Sequence, residues 1–442
     1  MAVLESFRNV FKIAELRKRI FFTLVVLLVF RLGAHIVLPG INPEAVRDFR
    51  DKMAAEGGDL FNLIQIFSGF ALGNLALFSL GIMPYITSSI IMQLMTKVSP
   101  ALETISKEPG GQRKIQQYTR YLAIPVCIIQ GFFAVQSLAA YQRDSGVPLL
   151  TGTGFGTYAL LILGLAGGAL FIMWLGEQIT EHGLGNGASI LIMAGIIARL
   201  PATIWELIRE ARQGAISGDS IVIILALYIA AIFAIVFITQ AQRRIPLQHA
   251  KHIRGRRMMS GGRNYLPLRV NTSGVMPVIF ASSLLILPQM LGMVPGLKVI
   301  ADAFDRGWFF YTVFYISMIF FFSYFWTYLF FQPQEIANNL KEYGSFIPGI
   351  RPGENTAQYI NTILSRITLC GAAFLCIIAL VPDLVSAAFG GSLQRRLLSF
   401  MGGTGILIVV GVGLDVIQKM ESHLLLHHYD GFTGTSGIRG RR

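Results

Sequence analysis

Ten apolar runs organise this chain, at about 20–38, 75–95, 120–140, 157–176, 187–205, 220–240, 273–292, 308–331, 367–385 and 399–418. Each is close to the roughly 20 residues of helix that cross a bilayer core. Hydrocarbon offers no water to bond exposed backbone groups, so runs of this kind have to fold as helices. The expected fold is an all-α integral membrane protein of ten transmembrane helices. Composition agrees, because a chain of 442 residues that is 53% apolar and only 14% charged is excluded from the soluble class. A further apolar stretch from Leu60 to Gly73 is too short to span and contains Gly69 and Gly73. It reads as a re-entrant segment.

Charge sets the orientation. The net charge is +13, and roughly two thirds of the 37 Lys and Arg fall on the side that holds both termini, whereas the acidic residues divide evenly. Both termini are therefore expected in the cytoplasm. Ten spans divide five and five: residues 1–205, with the short segment at about 60–73, then an external hinge loop at 206–219, then 220–418. Cytoplasmic loops are expected at 241–272 and 333–365, and a cytoplasmic tail at 419–442. Because five is odd, structural repeats in the two halves would be inverted relative to each other, with a pathway where they meet.

Several chemistries are excluded. No Gly-Lys dipeptide exists, so a phosphate-cradling P-loop is absent. The seven histidines offer no HExxH spacing, and Gly434-Thr435-Ser436-Gly437 lies in the polar tail with no partner base. Cys127, Cys370 and Cys376 all sit in apolar runs and indicate packing, not a disulfide framework or a metal site. No cofactor is expected. Arg31 is the only basic residue well inside a span, and Asp415 lies near the cytoplasmic end of the last. Arg31 either lines an aqueous cavity or snorkels outward. A secondary transporter built from inverted repeats needs a charge near the midplane, and an intramembrane protease needs a buried nucleophile and base. The residues favour a passive, gated conduit instead.

Four motifs carry a resemblance. The second span reads FSLGIMPYITSSIIMQLM from Phe78 to Met95, with Gly81, a Pro84 expected to kink it, and a polar face of Thr87, Ser88 and Gln93. With it go GEQITEHGLGNGASI (Gly176–Ile190), GVMPVIFASS (Gly274–Ser283) and FIPGIRPGE (Phe346–Glu354). Along essentially its whole length the chain resembles the SecY/Sec61-alpha family of protein-conducting channels. The resemblance implies two inverted five-helix halves around a central pore, with a re-entrant plug helix. It implies a passive channel, not an enzyme, that passes unfolded secretory polypeptides across a bacterial inner membrane and releases transmembrane segments sideways into lipid.

The resemblance also assigns residues. A pore ring maps to Ile82, Ile86, Ile192, Ile279 and Ile408, and the four-residue spacing of Ile82 and Ile86 puts them on one helix face. Branched aliphatic groups in a narrow ring dewet and block ions, yet deform around a passing chain. The plug maps to the short segment, through Leu60, Phe61, Ile64, Phe67, Gly69 and Gly73; a fixed packing helix is the alternative. A lateral gate maps to Thr87, Ser88, Gln130 and Ser282, whose polar groups would bond across helices for about 0.6–2 kcal/mol each. Arg256, Arg257 and Arg351 map to the surface that docks the SecA ATPase or a translating ribosome. Arginines suit both rRNA phosphate and acidic protein. Arg351 lies in a loop stiffened by Pro348, Gly349, Pro352 and Gly353. SecE and SecG subunits are the other implied partners, with energy from SecA, the ribosome or the proton motive force.

Overall fold

A computed structural model of the chain describes residues 13–56, 65, 68–69, 71–152, 154–213, 218–249, 252–254, 257–259, 263–291, 309–389 and 403–433. Each of the ten apolar runs carries a helix. In chain order the elements are α1 (Ala14–Gly33), α2 (Pro43–Glu56), α3 (Met83–Val98), α4 (Pro100–Lys107), α5 (Gly111–Ser145), α6 (Phe155–His182), α7 (Gly187–Arg212) and α8 (Gly218–Gln240). Then come strands β1 (Gln242–His249), β2 (His252–Arg254), β3 (Arg257–Met259) and β4 (Arg263–Arg269), and helices α9 (Met276–Leu291), α10 (Phe309–Phe330) and α11 (Pro333–Glu342). Strand β5 (Ser345–Phe346) precedes α12 (Glu354–Phe389) and α13 (Gly403–Thr433).

Among the described residues, six helical stretches are long and apolar enough to cross a membrane: Gly111–Arg143, Phe155–His182, Gly187–Trp205, Ile221–Gln240, Phe309–Glu342 and Glu354–Val381. The other four expected spans fall on α1, α3, α9 and α13. Helix α1 carries Arg17, Lys18, Arg19 and Arg31, whereas α3 and α9 have 16 residues each. Helix α13 runs into Asp415, Lys419 and Glu421.

The shortness of α3 corrects the expected 75–95 span. Residues up to Ile82 form a 3-10 turn at Leu72–Asn74 and further turns, with Leu75 left-handed (φ 45°) and Gly81 at φ 59°. Pro84 sits in the first turn of α3 and does not kink it. At that position its missing N–H removes a donor that would have had no helical partner. The loop expected at 206–219 is likewise shorter, because α7 continues to Arg212 and ends on the basic Arg209 and Arg212, cations that suit a helix C-terminus.

The chain divides into two compact units. The first comprises Met1–Arg212, Ser283–Arg306 and Val412–Arg442; the second comprises Gln213–Ser282 and Gly307–Gly411. In the first, α5 packs on α3 and α6, and α6 also receives α1 and α7. Helix α2 covers one end, its Ala45, Val46 and Phe49 packing with Leu38, Leu149, Leu161 and Leu165. Phe49 meets Tyr141 edge to face at 5.1 Å. At another place Leu16 of α1, Leu184 and the α13 residues Met420 and Leu424 form a small cluster.

The second unit contains what the sequence presented as two separate cytoplasmic loops. Strand β1 pairs antiparallel with β4 through Ile245↔Leu266 and Leu247↔Asn264. Its other edge pairs with β5 through Gln248↔Phe346, so the sheet order is β4-β1-β5. Ile245 and Leu247 point to one face, and with Leu268, Ile347 and Ile360 of α12 they form a core flanked by α11.

One close approach fixes the turns before α3. A Cβ at Gly168 of α6 would collide with the carbonyl oxygen of Leu77, whereas a Cβ at Gly167 would meet nothing within 4 Å. Gly168→Val is therefore expected to cost about 1–3 kcal/mol and to lower the thermal midpoint of the purified protein by several degrees. Gly167→Val should leave it unchanged, and equal midpoints for the two variants would refute the packing argument.

Candidate functional site

Ile82, Ile86 and Ile192 lie in the first unit, and all three are buried. Ile82 is the N-cap residue of α3 and Ile86 stands one turn on, its amide donating to the Ile82 carbonyl at 3.1 Å. Ile82 leans toward α6: its Cδ1 is 3.6 Å from the place a Cβ on Gly176 would occupy. Ile192 is in the second turn of α7. In the second unit, Ile279 of α9 and Ile408 of α13 are buried as well. The start of α9 packs tightly there, because Val275 fills the space beside Gly411 of α13.

Of the residues mapped to the plug, Leu60, Phe61, Ile64 and Phe67 lie outside the described residues, and Gly69 and Gly73 lie within them. Gly69 has φ +62°, a left-handed conformation that glycine adopts without steric cost. It sits so close to α7 that a Cβ on Gly195 would come within 2.6 Å of its Cα. Gly195 is one turn along α7 from Ile192, so the re-entrant turn rests about 4.5 Å of helix rise from a mapped ring residue.

Two span arginines hold this turn. Arg31 Nη1 of α1 donates to the Gly69 carbonyl at 3.3 Å, and Arg199 Nη1 of α7 donates to Gln65 Oε1 at 2.7 Å. Ser68 is fully buried, and its hydroxyl donates to the Gln65 carbonyl. Arg31 thus bonds the backbone of the turn. Gln65 and Arg199 were not singled out in the sequence, although each is a polar residue inside an apolar run and Arg199, like Arg31, lies well within its span.

The residues mapped to the lateral gate are buried but bond differently from expectation. Thr87 Oγ1 donates to the Met83 carbonyl at 3.1 Å, Ser88 Oγ to Pro84 at 2.8 Å and Ser282 Oγ to Val278 at 2.8 Å, each one turn back in its own helix. A hydroxyl finds this acceptor within its own helix, without needing a neighbour. Of these three, Ser282 alone also reaches another helix, lying 3.4 Å from the Tyr315 hydroxyl of α10. Gln130 of α5 is buried with 6% exposure.

The apolar runs also concealed an ion pair. Arg120 Nε of α5 contacts Glu177 Oε1 of α6 at 2.7 Å, with the Glu177 side chain 6% exposed and Arg120 41%. Both residues sit at the ends of the runs drawn from sequence yet well inside the longer helices that form. Glu177→Gln is expected to destabilise the protein by about 1–2 kcal/mol, moderated because Arg120 is partly solvated. The double replacement of Arg120 and Glu177 by Met should recover part of that loss. Thermal unfolding of the three variants tests this, and a double variant worse than the single one would defeat it.

Beside the β4-β1-β5 sheet, Arg351 is exposed in the loop between β5 and α12. Gly349 (φ 82°) and Gly353 (φ 107°) bracket it, and its carbonyl accepts a bond from Thr356 Oγ1 at 2.9 Å. Neighbouring Ile350 packs against the sheet core, so the loop is anchored on either side of the guanidinium. Arg243, Arg244 and Arg269 are exposed on β1 and β4. Arg256 lies outside the described residues, and Arg257 opens β3.

Comparison with known proteins is consistent along the chain. The SecY family model matches residues 76–417. The protein translocase subunit SecY of Thermotoga maritima is 41% identical over 444 residues, covering 99% of this chain and 100% of that protein. The corresponding subunit of Aquifex aeolicus is 41% identical over 433 residues, covering 97% and 99%. Among solved structures, one described as a protein-conducting channel superimposes with a TM-score of 0.63 at 18% identity, covering 96% of this chain and 95% of that one. Sec61 in a canine ribosome-channel complex from the endoplasmic reticulum gives 0.61 at 17% identity, with coverage of 96% and 95%.

Proposed function

Since the chain belongs to the SecY family and is a multi-pass, protein-conducting channel subunit of the translocon, we propose that unfolded secretory polypeptides pass a waist formed by Ile82, Ile86, Ile192, Ile279 and Ile408. The observation that carries this reading is the placement of Gly69 against Gly195, one turn from Ile192. It sets a re-entrant turn beside a residue of the ring, where the segment from Leu60 to Gly73 acts as a plug. Apolar side chains at the waist exclude ions by dewetting and offer no directional bond that would retain a particular sequence.

Apolar segments leave through a lateral gate that includes Thr87, Ser88, Gln130 and Ser282. The hydroxyl bonds to their own helices support a low opening cost, because such a bond survives when a neighbouring helix moves away. The chain works in a bacterial inner membrane with both termini cytoplasmic, alongside SecE and SecG. It has no catalytic role: the SecA ATPase, a translating ribosome or the proton motive force supplies the energy. Channels of the same fold in ribosome complexes support a ribosome as a partner, and its docking surface is the exposed arginines of the β4-β1-β5 sheet and the Arg351 loop.

The direct test is a photoreactive group at Ile86 or Ile279 in the reconstituted channel, with a stalled secretory chain as target. Crosslinks that depend on SecA and ATP are expected at both positions. An assembled channel that crosslinks at neither would overturn the waist. For the docking surface, Arg351→Glu is expected to reduce SecA-driven export by at least about tenfold, the scale of losing a charge-assisted contact and gaining a repulsive one. Assembly of the channel should be unaffected. Unchanged export in the reconstituted assay would remove Arg351 from the contact.

A further inference from the structure

We propose that Arg31 and Arg199 are positioning residues that form a two-point latch, holding the re-entrant turn in its resting place and setting how readily it leaves. This rests on the plug reading of residues 60–73. Guanidinium groups inside apolar spans are expensive, and they persist where they pair with another group or serve a pathway. Here two of them, on different helices, reach the same short turn. Arg31 takes the Gly69 carbonyl at 3.3 Å and Arg199 takes the side-chain oxygen of Gln65 at 2.7 Å, with Gln65 only 7% exposed.

The contact between Gly69 and Gly195 explains why the bonds form. With no side chain at either residue, the turn lies directly on α7, and the left-handed Gly69 presents its carbonyl to α1. Glycine at both positions thus brings the acceptors within reach of the two cations.

The acceptors suit a reversible hold. The Gly69 carbonyl and the Gln65 amide are neutral, so each bond is charge-assisted on the donor side only. Departure of the turn breaks both bonds together and leaves guanidinium groups that water can solvate. A carboxylate in place of either acceptor would hold the turn more tightly and leave an uncompensated charge on release. The latch is therefore strong enough to bias the resting state and weak enough for a passing polypeptide to open.

The test uses the full channel with its partner subunits in proteoliposomes. Ser68→Cys, a fully buried position, serves as the reporter, with Cys127, Cys370 and Cys376 replaced by alanine. The rate at which a membrane-impermeant maleimide labels Cys at this position from outside reads release of the turn. Arg31→Gln and Arg199→Gln are each expected to raise that rate about tenfold, with a larger rise in the double variant. The lysine variants should fall between, since they keep a cationic donor. Arg143→Gln, an exposed arginine away from the turn, should change nothing.

Unchanged labelling in the single and double glutamine variants would overturn the latch, and so would an equal rise in Arg143→Gln. Ion leak through a channel lacking Leu60–Gly73 reports separately on the plug. A tight membrane after that deletion would defeat the plug reading and the latch with it. A leak there, with labelling unchanged in the arginine variants, would defeat the latch alone.

Discussion

A stretch of non-helical backbone lodged among membrane helices is the constraint on which the first unit depends. Such backbone persists at membrane depth only where protein encloses it and satisfies its polar groups. Among the described residues between Gly69 and Ile82, several of those groups find partners. The Leu38 amide donates to the Leu75 carbonyl, and the Leu77 amide to Ile36. Ser79 Oγ and the Ala76 amide both donate to the Ala71 carbonyl, Asn74 Nδ2 donates to Ala34, and Arg31 donates to Gly69. The small residues around the turns follow from the same demand. Gly168 leaves room for the Leu77 carbonyl, and Gly195 for the Gly69 backbone.

This bonding marks the limit of what could be read from the chain. The apolar runs gave the helices because burial in lipid forces a 20-residue run into helical form whatever its details. The 75–95 run misled because turn residues inside it are as apolar as helix residues. Leu75, Ala76 and Leu77 have the composition of a span, and their bonds to Ile36, Leu38, Ala71 and Leu72 hold them as turns. Gly81 and Pro84 were the local signals, and Pro84 marks the start of α3. Burial of the five isoleucines does not follow from hydropathy, because Ile91, Ile124 and Ile197 are as apolar and are exposed. The role proposed for them rests on resemblance, since nothing in the residue type separates Ile86 from Ile90.

The β4-β1-β5 sheet was hidden for a different reason. The signal for β1 was present, with Ile245 and Leu247 buried and Arg244, Pro246 and Gln248 exposed in strict alternation, the period of a half-buried strand. Pairing of β1 with β5, about 100 residues later, is a long-range contact that local pattern does not encode. Its consequence is mechanical. The Arg351 loop follows directly on a strand hydrogen-bonded to the hairpin that precedes α9, so force applied at the loop reaches that hairpin through the shared sheet. The two loops are therefore one folded body.

Polar groups in the spans fall into two energetic kinds, and the division follows what each has to do. The hydroxyls of Thr87, Ser88 and Ser282 are satisfied within their own helices, so separating those helices from neighbours breaks no bond to these carbonyls. Arg31 and Arg199 reach outside their helices, to acceptors 38 and 134 residues away in sequence, so displacing the turn breaks both bonds. A channel that admits arbitrary sequences has to open sideways at low cost while resisting spontaneous loss of its seal. Under the proposed roles, locally satisfied hydroxyls on the gate helices, and charged donors that reach from α1 and α7 to the turn, give two barriers that mutation can change independently.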